Sequence, residues 1–273
     1  MLYWLLGAVA SYGKHRAALH LTGPEHGEQT VTIQRVHLIE AARARGVVIV
    51  IDVIRAFSVA AYALERGARG LWLVRTVEEA LALRQREPEA LLAGEVGGRM
   101  IAGFDLNNSP ALMMEADVRG RLLIQRTGSG TQGAVGAVNA THLLVCSLVN
   151  AQATATYARQ LAETTGGLIT LMPTEPADGM ERRGEDDLCA DYLEALLLER
   201  AEAPELLADG VARLRASGRF ALFEQGHPDF PIGDREAVLA ADRFAFAMRG
   251  TREQWNGLAY VAVQRVEVPG ASG

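Results

Sequence analysis

An aspartate at the end of a long β-branched run is the first residue of this sequence that could do chemistry. In VVIVIDVIRAFS, Asp52 closes a run that reads as a strand buried on both faces, and Arg55 stands just beyond it. An ionised carboxylate in such a place is costly unless it meets a cation or hydrogen-bond donors. A metal ion would supply that partner. So would a plain Asp52–Arg55 ion pair or a helix cap, with no chemistry at all. A second carboxylate, Glu95, ends the apolar run LLAGE, and Gly97 and Gly98 behind it allow close backbone approach. Arg99 then offers a fork for an anion. Asn107, Asn108 and Ser109 precede Pro110, a residue suited to the first turn of a helix. Taken alone, this second stretch is equally compatible with a structured loop.

RLLIQRTGSGTQGAVG places Gly128, Gly130 and Gly133 at G-x-G-x-x-G spacing after a strand and before a helix, as a dinucleotide-binding turn would. The acid that should hold a ribose about 20 residues later is missing, because the next strand runs into Ser147-Leu148-Val149-Asn150. What survives is an anion cradle suited to phosphate. It comprises backbone N–H groups, the hydroxyls of Thr127, Ser129 and Thr131, and Arg126, all near a helix N-terminus. Asn150, at a strand end and helix start, is placed either to cap or to touch a ligand. Glu185, Asp186 and Asp187 open a later helix, where their charge favours the macrodipole. As hard oxygen donors they also suit Mg2+. Other chemistries fail. The histidines show no HExxH spacing for zinc, and Thr127 stands where a GxSxG elbow needs glycine. The one lysine, Lys14, lies in no phosphate-loop motif, so arginine must supply anion recognition.

These residues fall at the ends of alternating elements. The patterning predicts strands over 30–38, 47–53, 71–74, 91–95, 121–127, 142–147, 168–173 and 258–268. Helices are expected over 60–65, 76–87, 131–138, 150–163 and 185–198, with two more helical segments to about Met248. Thr76 and Glu79 make a capping box for the second of these. Such alternation points to a three-layer α/β/α fold with a largely parallel sheet, whose ligands collect at the carboxyl ends of the strands.

The length, 273 residues, accommodates one catalytic domain over 30–268, with 1–29 as an extension outside the core and 269–273 as a frayed tail. A net charge of −6 removes the broad basic footprint of a duplex-binding protein. The apolar run Met1–Ala10 falls well short of the roughly 20 residues that span a bilayer. It also lacks the basic start of a secretory signal. Cys146 and Cys189 are too few for a disulfide scaffold and read as reduced thiols of a cytoplasmic protein. The C-terminal strand and a 233–248 helix either complete the core or face a second copy, so a homo-oligomer stays open.

Five stretches in order, IDVIRAFSVAAYALERGA, GEVGGRMIAGFDLNNSP, RTGSGT, SLVNA and GEDDLCA, resemble the 2-phosphosulfolactate phosphatase family from about Val47 to Tyr192. The resemblance implies a Mg2+-dependent phosphatase that converts 2-phospho-3-sulfolactate to 3-sulfolactate and phosphate, a step toward coenzyme M. It also implies a three-layer α/β fold particular to that family. On that reading Asp52, Arg55, Glu185 and Asp186 are catalytic, and some of Asp52, Glu95, Glu185 and Asp186 hold Mg2+. Thr127, Gly128, Ser129, Gly130 and Thr131, with Arg55 or Arg126, cradle phosphate oxygens. Arg99, Asn108, Ser109 and Asn150 are left for the substrate's sulfonate and carboxylate. The nucleophile is either water or Asp52 itself. Two other readings stay open: a phosphatase for another small phosphorylated hydroxy acid, and a non-catalytic binder of a small phosphorylated or sulfonated metabolite. Four acids beside an anion cradle speak for an intervening metal. Neither nucleic acid nor membrane is an expected partner.

Overall fold

The structure is a computed structural model that describes residues 17–23, 26–175 and 184–270. In chain order its first elements are β1 (Ala17–Gly23), β2 (His26–Arg35), β3 (Gly46–Ile51), α1 (Ala56–Glu65), β4 (Gly70–Val74), α2 (Val77–Arg86), β5 (Leu91–Val96) and β6 (Arg99–Met100). Then come α3 (Pro110–Met113), β7 (Leu122–Arg126), α4 (Gly130–Gly136), β8 (Ala140–Cys146), α5 (Ala151–Thr164) and β9 (Leu168–Pro173). The chain finishes with α6 (Glu185–Leu197), α7 (Ala203–Ala216), α8 (Gly233–Leu239), β10 (Phe246–Trp255) and β11 (Leu258–Glu267).

One sheet runs in the order β1-β2-β9-β3-β8-β10-β11-β4-β7-β5-β6. Two parallel blocks, β2-β9-β3-β8 and β4-β7-β5, are joined through the antiparallel β10–β11 hairpin. Helices cover both faces, and the pleat explains how. Val48 and Val50 of β3 pack with Phe57 and Ala60 of α1 and Ala134 of α4. Val47, Ile49 and Ile51, pointing the other way, pack with Ala155 of α5 and Leu188 and Leu193 of α6. In the second block, Ala80 and Leu83 of α2 cover Val74, Leu92 and Ile124. A strand sandwiched between two helix layers must be apolar on both faces, which is why β3 reads as an unbroken β-branched run. The Thr76–Glu79 capping box at the start of α2 is present in both directions.

Two expectations are corrected. The predicted helix to Met248 ends at Leu239, and Phe246–Trp255 is a strand between β8 and β11. Buried on both faces, Phe246, Ala247 and Met248 give no alternation that distinguishes a central strand from a buried helix. β10 and β11 therefore complete the sheet's interior. The sheet is correspondingly mixed: among the described residues, five strand pairings are parallel and five antiparallel. The boundary expected at residue 30 falls inside β2, whose antiparallel pairing with β1 carries residues 17–23 and 26–29 into the sheet. The Met1–Ala10 run and the last three residues lie outside the described residues. Among the described residues no helix is long and apolar enough to cross a membrane.

Candidate active site

Register sets the site. Ile51 of β3 pairs with Pro173 of β9, so Asp52 and Thr174 emerge side by side. Gly94 of β5 pairs with Arg126 of β7, so Glu95 and Thr127 do the same in the second block. These strand ends open into one cavity of about 330 Å3. The N-terminus of α6 brings Glu185 and Asp186 to it, and the segment between α7 and α8 closes the far side with Arg219, Leu222, Phe223 and Phe230.

Asp52 is 5% exposed, and its Oδ1 accepts the Ala56 N–H at 3.0 Å, so it caps α1. The Gly130 N–H donates to the same carboxylate. Gly130 allows this approach because a Cβ there would lie 2.6 Å from Asp52 Oδ2. Burial, and after it the charges of Glu185 and Glu95, push Asp52 up to about 6 against these two amides. Asp186 is buried too, and burial followed by the charges of Asp52 and Glu185 raises it well above the ordinary carboxylate range. Its Oδ1 accepts the Val53 N–H at 2.7 Å, and its Oδ2 accepts the Thr174 N–H and hydroxyl at 3.2 Å. Asp186 thus ties α6 to the ends of β3 and β9.

Glu185, 1% exposed, is held by a fork from Arg219: Nε donates to Oε2 at 2.7 Å and Nη2 to Oε1 at 2.5 Å. Arg219 Nη2 also donates to Glu175 Oε1 at 3.2 Å. Burial, then the neighbouring Glu185, push Glu175 up to about 8. Glu95 accepts the Gly98 N–H at 2.6 Å and the Gly128 N–H at 2.5 Å.

The glycine loop therefore works differently from the expected cradle. Two of its amides, Gly128 and Gly130, point at carboxylates. Those of Thr127 and Thr131 are taken by each other's hydroxyls, at 2.9 and 3.2 Å. In this arrangement the loop positions acids. Thr127, Gly128 and Ser129 line the cavity, and Gly130 and Thr131 stand behind them. Arg126 lies beneath the loop, donating to the carbonyls of Glu95 at 2.6 Å and Arg75 at 3.2 Å.

Arg55 pairs with Asp234 and leaves Asp52 alone. Its Nη1 donates to Asp234 Oδ2 at 2.8 Å and to the Asp229 carbonyl at 2.6 Å, and its Nη2 to the Gly98 carbonyl at 2.9 Å. Its guanidinium lies 4.9 Å from the Phe230 ring centroid and 5.6 Å from that of Phe223. Asp234, fully buried, also accepts the Ser109 hydroxyl at 2.6 Å and the Ala111 N–H at 2.9 Å. Ser109 is thereby spent on α3 and Asp234, outside the cavity lining. Asn150 is likewise internal: it accepts the Ser147 N–H at 3.1 Å and donates to Thr154 Oγ1 at 3.1 Å. Arg99 is exposed and sits 3.3 Å from His227 Nε2. Asn108, by contrast, does line the cavity.

Of the predicted set, Asp52, Arg55, Glu95, Asn108, Thr127, Gly128, Ser129, Glu185 and Asp186 are brought together. Sequence reasoning missed Thr174, Glu175, Arg219, Phe223, Phe230 and Asp234. Thr174 and Glu175 directly follow LITLMP, so the strand-end rule that found Asp52 could have found them. Arg219, Phe223 and Phe230 come from the stretch between α7 and α8 and Asp234 from the first turn of α8, and no motif marks either.

Oxygen donors crowded enough to raise one another's proton affinity suit a hard cation, whose charge relieves that repulsion. Among the described residues no three acidic, histidine or cysteine side chains form a ready metal-holding group. The arrangement fits a hydrated Mg2+ taken through one or two carboxylates. Asp52 and Asp186 are foremost, because both are buried and raised by neighbouring carboxylates, Asp52 by Glu185 and Glu95, Asp186 by Asp52 and Glu185.

The 2-phosphosulpholactate phosphatase family model matches residues 33–217. A "probable 2-phosphosulfolactate phosphatase" of Bacillus subtilis is 42% identical over 150 residues, 55% of this chain and 63% of that protein. Proteins with the same name from Deinococcus radiodurans and Thermus thermophilus are 40% and 45% identical, over 59% and 54% of this chain and 68% and 61% of theirs. The match thus spans less than two thirds of the length of the Bacillus and Thermus relatives. The chain belongs to the 2-phosphosulfolactate phosphatase family.

Proposed function

We propose that the protein is a Mg2+-dependent phosphatase that hydrolyses 2-phospho-3-sulfolactate to 3-sulfolactate and phosphate, the type of reaction that leads toward coenzyme M in the cytoplasm. The observation that carries this reading is the convergence of Asp52, Glu95, Glu175, Glu185 and Asp186 on one small cavity, in a chain of this family. A purely anion-binding protein gains nothing from such a wall, since each acid repels its ligand. Bound through Asp52 and Asp186, with Glu95 or Glu185 beside them, Mg2+ would supply neutralisation of charge developing on the phosphoryl oxygens. The protein's own part is positioning. The Ala56 and Gly130 amides fix Asp52 at the β3 end, and the Val53 amide with Thr174 fixes Asp186. Thr127, Gly128 and Ser129 line the cavity and would form the floor beneath the phosphoryl group, and phosphoryl transfer depends chiefly on positioning and electrostatics.

One observation favours a second substrate. Both guanidinium groups that line the cavity are already paired, Arg55 with Asp234 and Arg219 with Glu185. A less highly charged phosphorylated hydroxy acid would need fewer cations than a substrate bearing phosphate, sulfonate and carboxylate. Phosphate release from 2-phosphosulfolactate, phospholactate and an aryl phosphate, each with Mg2+ and with EDTA, decides. Mg2+-dependent turnover selective for the sulfonated ester is expected. Turnover of phospholactate alone moves the assignment to the second substrate, and no turnover of any ester removes the phosphatase reading.

A further inference from the structure

The two guanidinium groups that line the cavity are both paired, but they are held in different ways. Arg55 is buried, and both its Nη atoms are spent, on Asp234 and on the Asp229 and Gly98 carbonyls. Arg219 is gripped along one edge. Its Nε and Nη2 lie on the two oxygens of Glu185 at 2.7 and 2.5 Å, and Nη2 also reaches Glu175 Oε1 at 3.2 Å. Its Nη1 donates to no acceptor among the described residues, and the side chain is 45% exposed. The next residue, Phe220, is buried in the core and fixes the backbone there. Glu185 is the converse. Both its oxygens are taken by the fork, so a cation bound to it would have to break that fork and sit against the guanidinium. Asp52, Glu95 and Asp186 accept N–H or O–H groups and form no ion pair among the described residues.

We propose that Arg219 is a specificity-determining residue whose open Nη1 binds an acid group of the substrate, and that Glu185 is the positioning residue that aims it, leaving a cation to Asp52, Asp186 and Glu95. The inference rests on the phosphatase reading above and divides the acids of that site into two roles. A carboxylate or sulfonate offers acceptors alone, and Nη1 carries two hydrogens that no protein group claims. A substrate bearing a phosphate and a further acid group brings more negative charge than one divalent cation neutralises. Beside a wall of carboxylates, that further group needs a cation of its own. Arginine suits the task because its planar fork can hold a carboxylate along one edge and still present a donor in a fixed direction. A lysine has one charged point, which Glu185 would draw onto itself.

The test sets Arg219→Ala, Arg219→Lys, Glu185→Gln and the double variant Arg219→Ala with Glu185→Gln against the unaltered protein. Each is assayed in Mg2+ on 2-phosphosulfolactate, phospholactate and an aryl phosphate without an acid group, and its Mg2+ affinity is read from the rise in melting temperature as Mg2+ is added. Loss of one hydrogen bond to a charged group is expected to raise KM for the acid-bearing esters about tenfold more than for the aryl phosphate, in Arg219→Ala and Arg219→Lys alike. Glu185→Gln should raise KM for the same esters, because its NH2 turns toward a guanidinium donor. In the double variant it should add less than about twofold to the effect of Arg219→Ala, since a residue that acts through another is silent once that other is gone. Mg2+ affinity should stay within about threefold in Glu185→Gln. A larger fall makes Glu185 a metal ligand and overturns its positioning role, as does an added effect in the double variant. KM rising equally for all three esters moves Arg219 to the phosphate and overturns the contact. An unchanged KM throughout, or full rescue by lysine, overturns it too. If Arg219→Ala does not fold, Arg219→Lys and Glu185→Gln decide by the same comparisons. If the unaltered protein turns over none of the esters, the phosphatase reading falls and the thermal shift given by 3-sulfolactate decides alone. Stabilisation of the unaltered protein but not of Arg219→Lys supports the contact, and equal shifts, or none in either, overturn it.

Discussion

Two walls face each other across the cavity, and they are built by different means. The first is made of strand ends: Asp52, Thr127 and Thr174 each stand one residue beyond a strand, and Glu95 is next to last in one, with neighbouring strands fixing their height. The second is the irregular segment after α7, which presents Arg219, Leu222, Phe223 and Phe230. The first wall and the α6 acids lie inside residues 33–217, the stretch the family model matches, and the second lies just past it. Ladder hydrogen bonds and capped helix starts locate the acids of the first wall. The second is tied down by Arg55, which reaches across to Asp234 and to the Asp229 carbonyl while resting against Phe223 and Phe230. A phenyl ring also sets the glycine opposite: a Cβ on Gly98 would lie 2.7 Å from the Phe230 ring, at a backbone φ of +80°. The difference teaches that the cavity's acids are set by strand ends and a helix start, whereas the shape of the pocket hangs on one buried ion pair.

Breaking that pair should have the largest effect. Asp234→Ala leaves Arg55 buried without its carboxylate, and removing one partner of a buried pair costs about 3–5 kcal/mol. Urea unfolding measures it. A loss below about 1 kcal/mol would show that carbonyls and aromatic rings alone hold the second wall. Next comes Asp52→Asn. The amide oxygen can still accept the Ala56 N–H but the Gly130 N–H loses its acceptor, while one buried charge is removed, so the melting temperature should shift by no more than a few degrees. Phosphate release should nonetheless fall about 100- to 1,000-fold, the scale of losing one well-placed electrostatic group. Activity within tenfold of the unaltered protein would remove Asp52 from the chemistry.

A smaller effect sharpens the division of labour. Arg219→Ala takes a cation from the second wall and frees Glu185, and the side chain removed is 45% exposed. Solvent screens such a pair, which limits the stability loss. The expected result is a rise of about tenfold in KM with kcat nearly unchanged, the reverse of the Asp52→Asn pattern. A fall in kcat as large as the rise in KM would mean that Arg219 acts through Glu185 on the reacting end.

The same contrast explains what could be read from the sequence. Asp52 is legible because the β-branched run before it can only be a doubly covered strand, and a carboxylate ending such a strand needs a partner. Glu95 and Thr127 follow from the same rule, whereas the α6 acids are legible as a run of three carboxylates at a helix N-terminus. Arg126 misleads because its fork goes to two carbonyls, a bond type that leaves no trace in spacing. Asn150 misleads because a strand end whose residues are satisfied within their own turn looks the same as one that meets a ligand. Arg219 and Asp234 were beyond reach for another reason. Their roles depend on contacts made across 34 and 179 positions of chain, with Glu185 and Arg55, and no local period encodes them. In the fold, β10 was missed because a strand buried on both faces shows no alternation.

The smallest effect reads the charge of the first wall directly. Asp52 is raised from 3.8 to about 6 and Glu175 from 4.5 to about 8, in both cases by burial first and neighbouring carboxylates second. A carboxyl raised on folding holds its proton more tightly in the folded chain than in the unfolded one. Its contribution to stability is complete below the unfolded value and is lost as pH rises, over 3.8 to about 6 for Asp52 and 4.5 to about 8 for Glu175. In EDTA the protein should therefore melt at a lower temperature at pH 8 than at pH 5. Mg2+ competes with protons for these oxygens and relieves their repulsion, so its stabilising shift should be larger at pH 8. For a chain of this size about 1 kcal/mol corresponds to about 2–4 °C, which sets the scale of the difference. Equal Mg2+ shifts at the two pH values would separate the cation from the raised carboxylates. A melting temperature that rises from pH 5 to pH 8 without Mg2+ would show that Arg219 and the backbone amides already balance the wall.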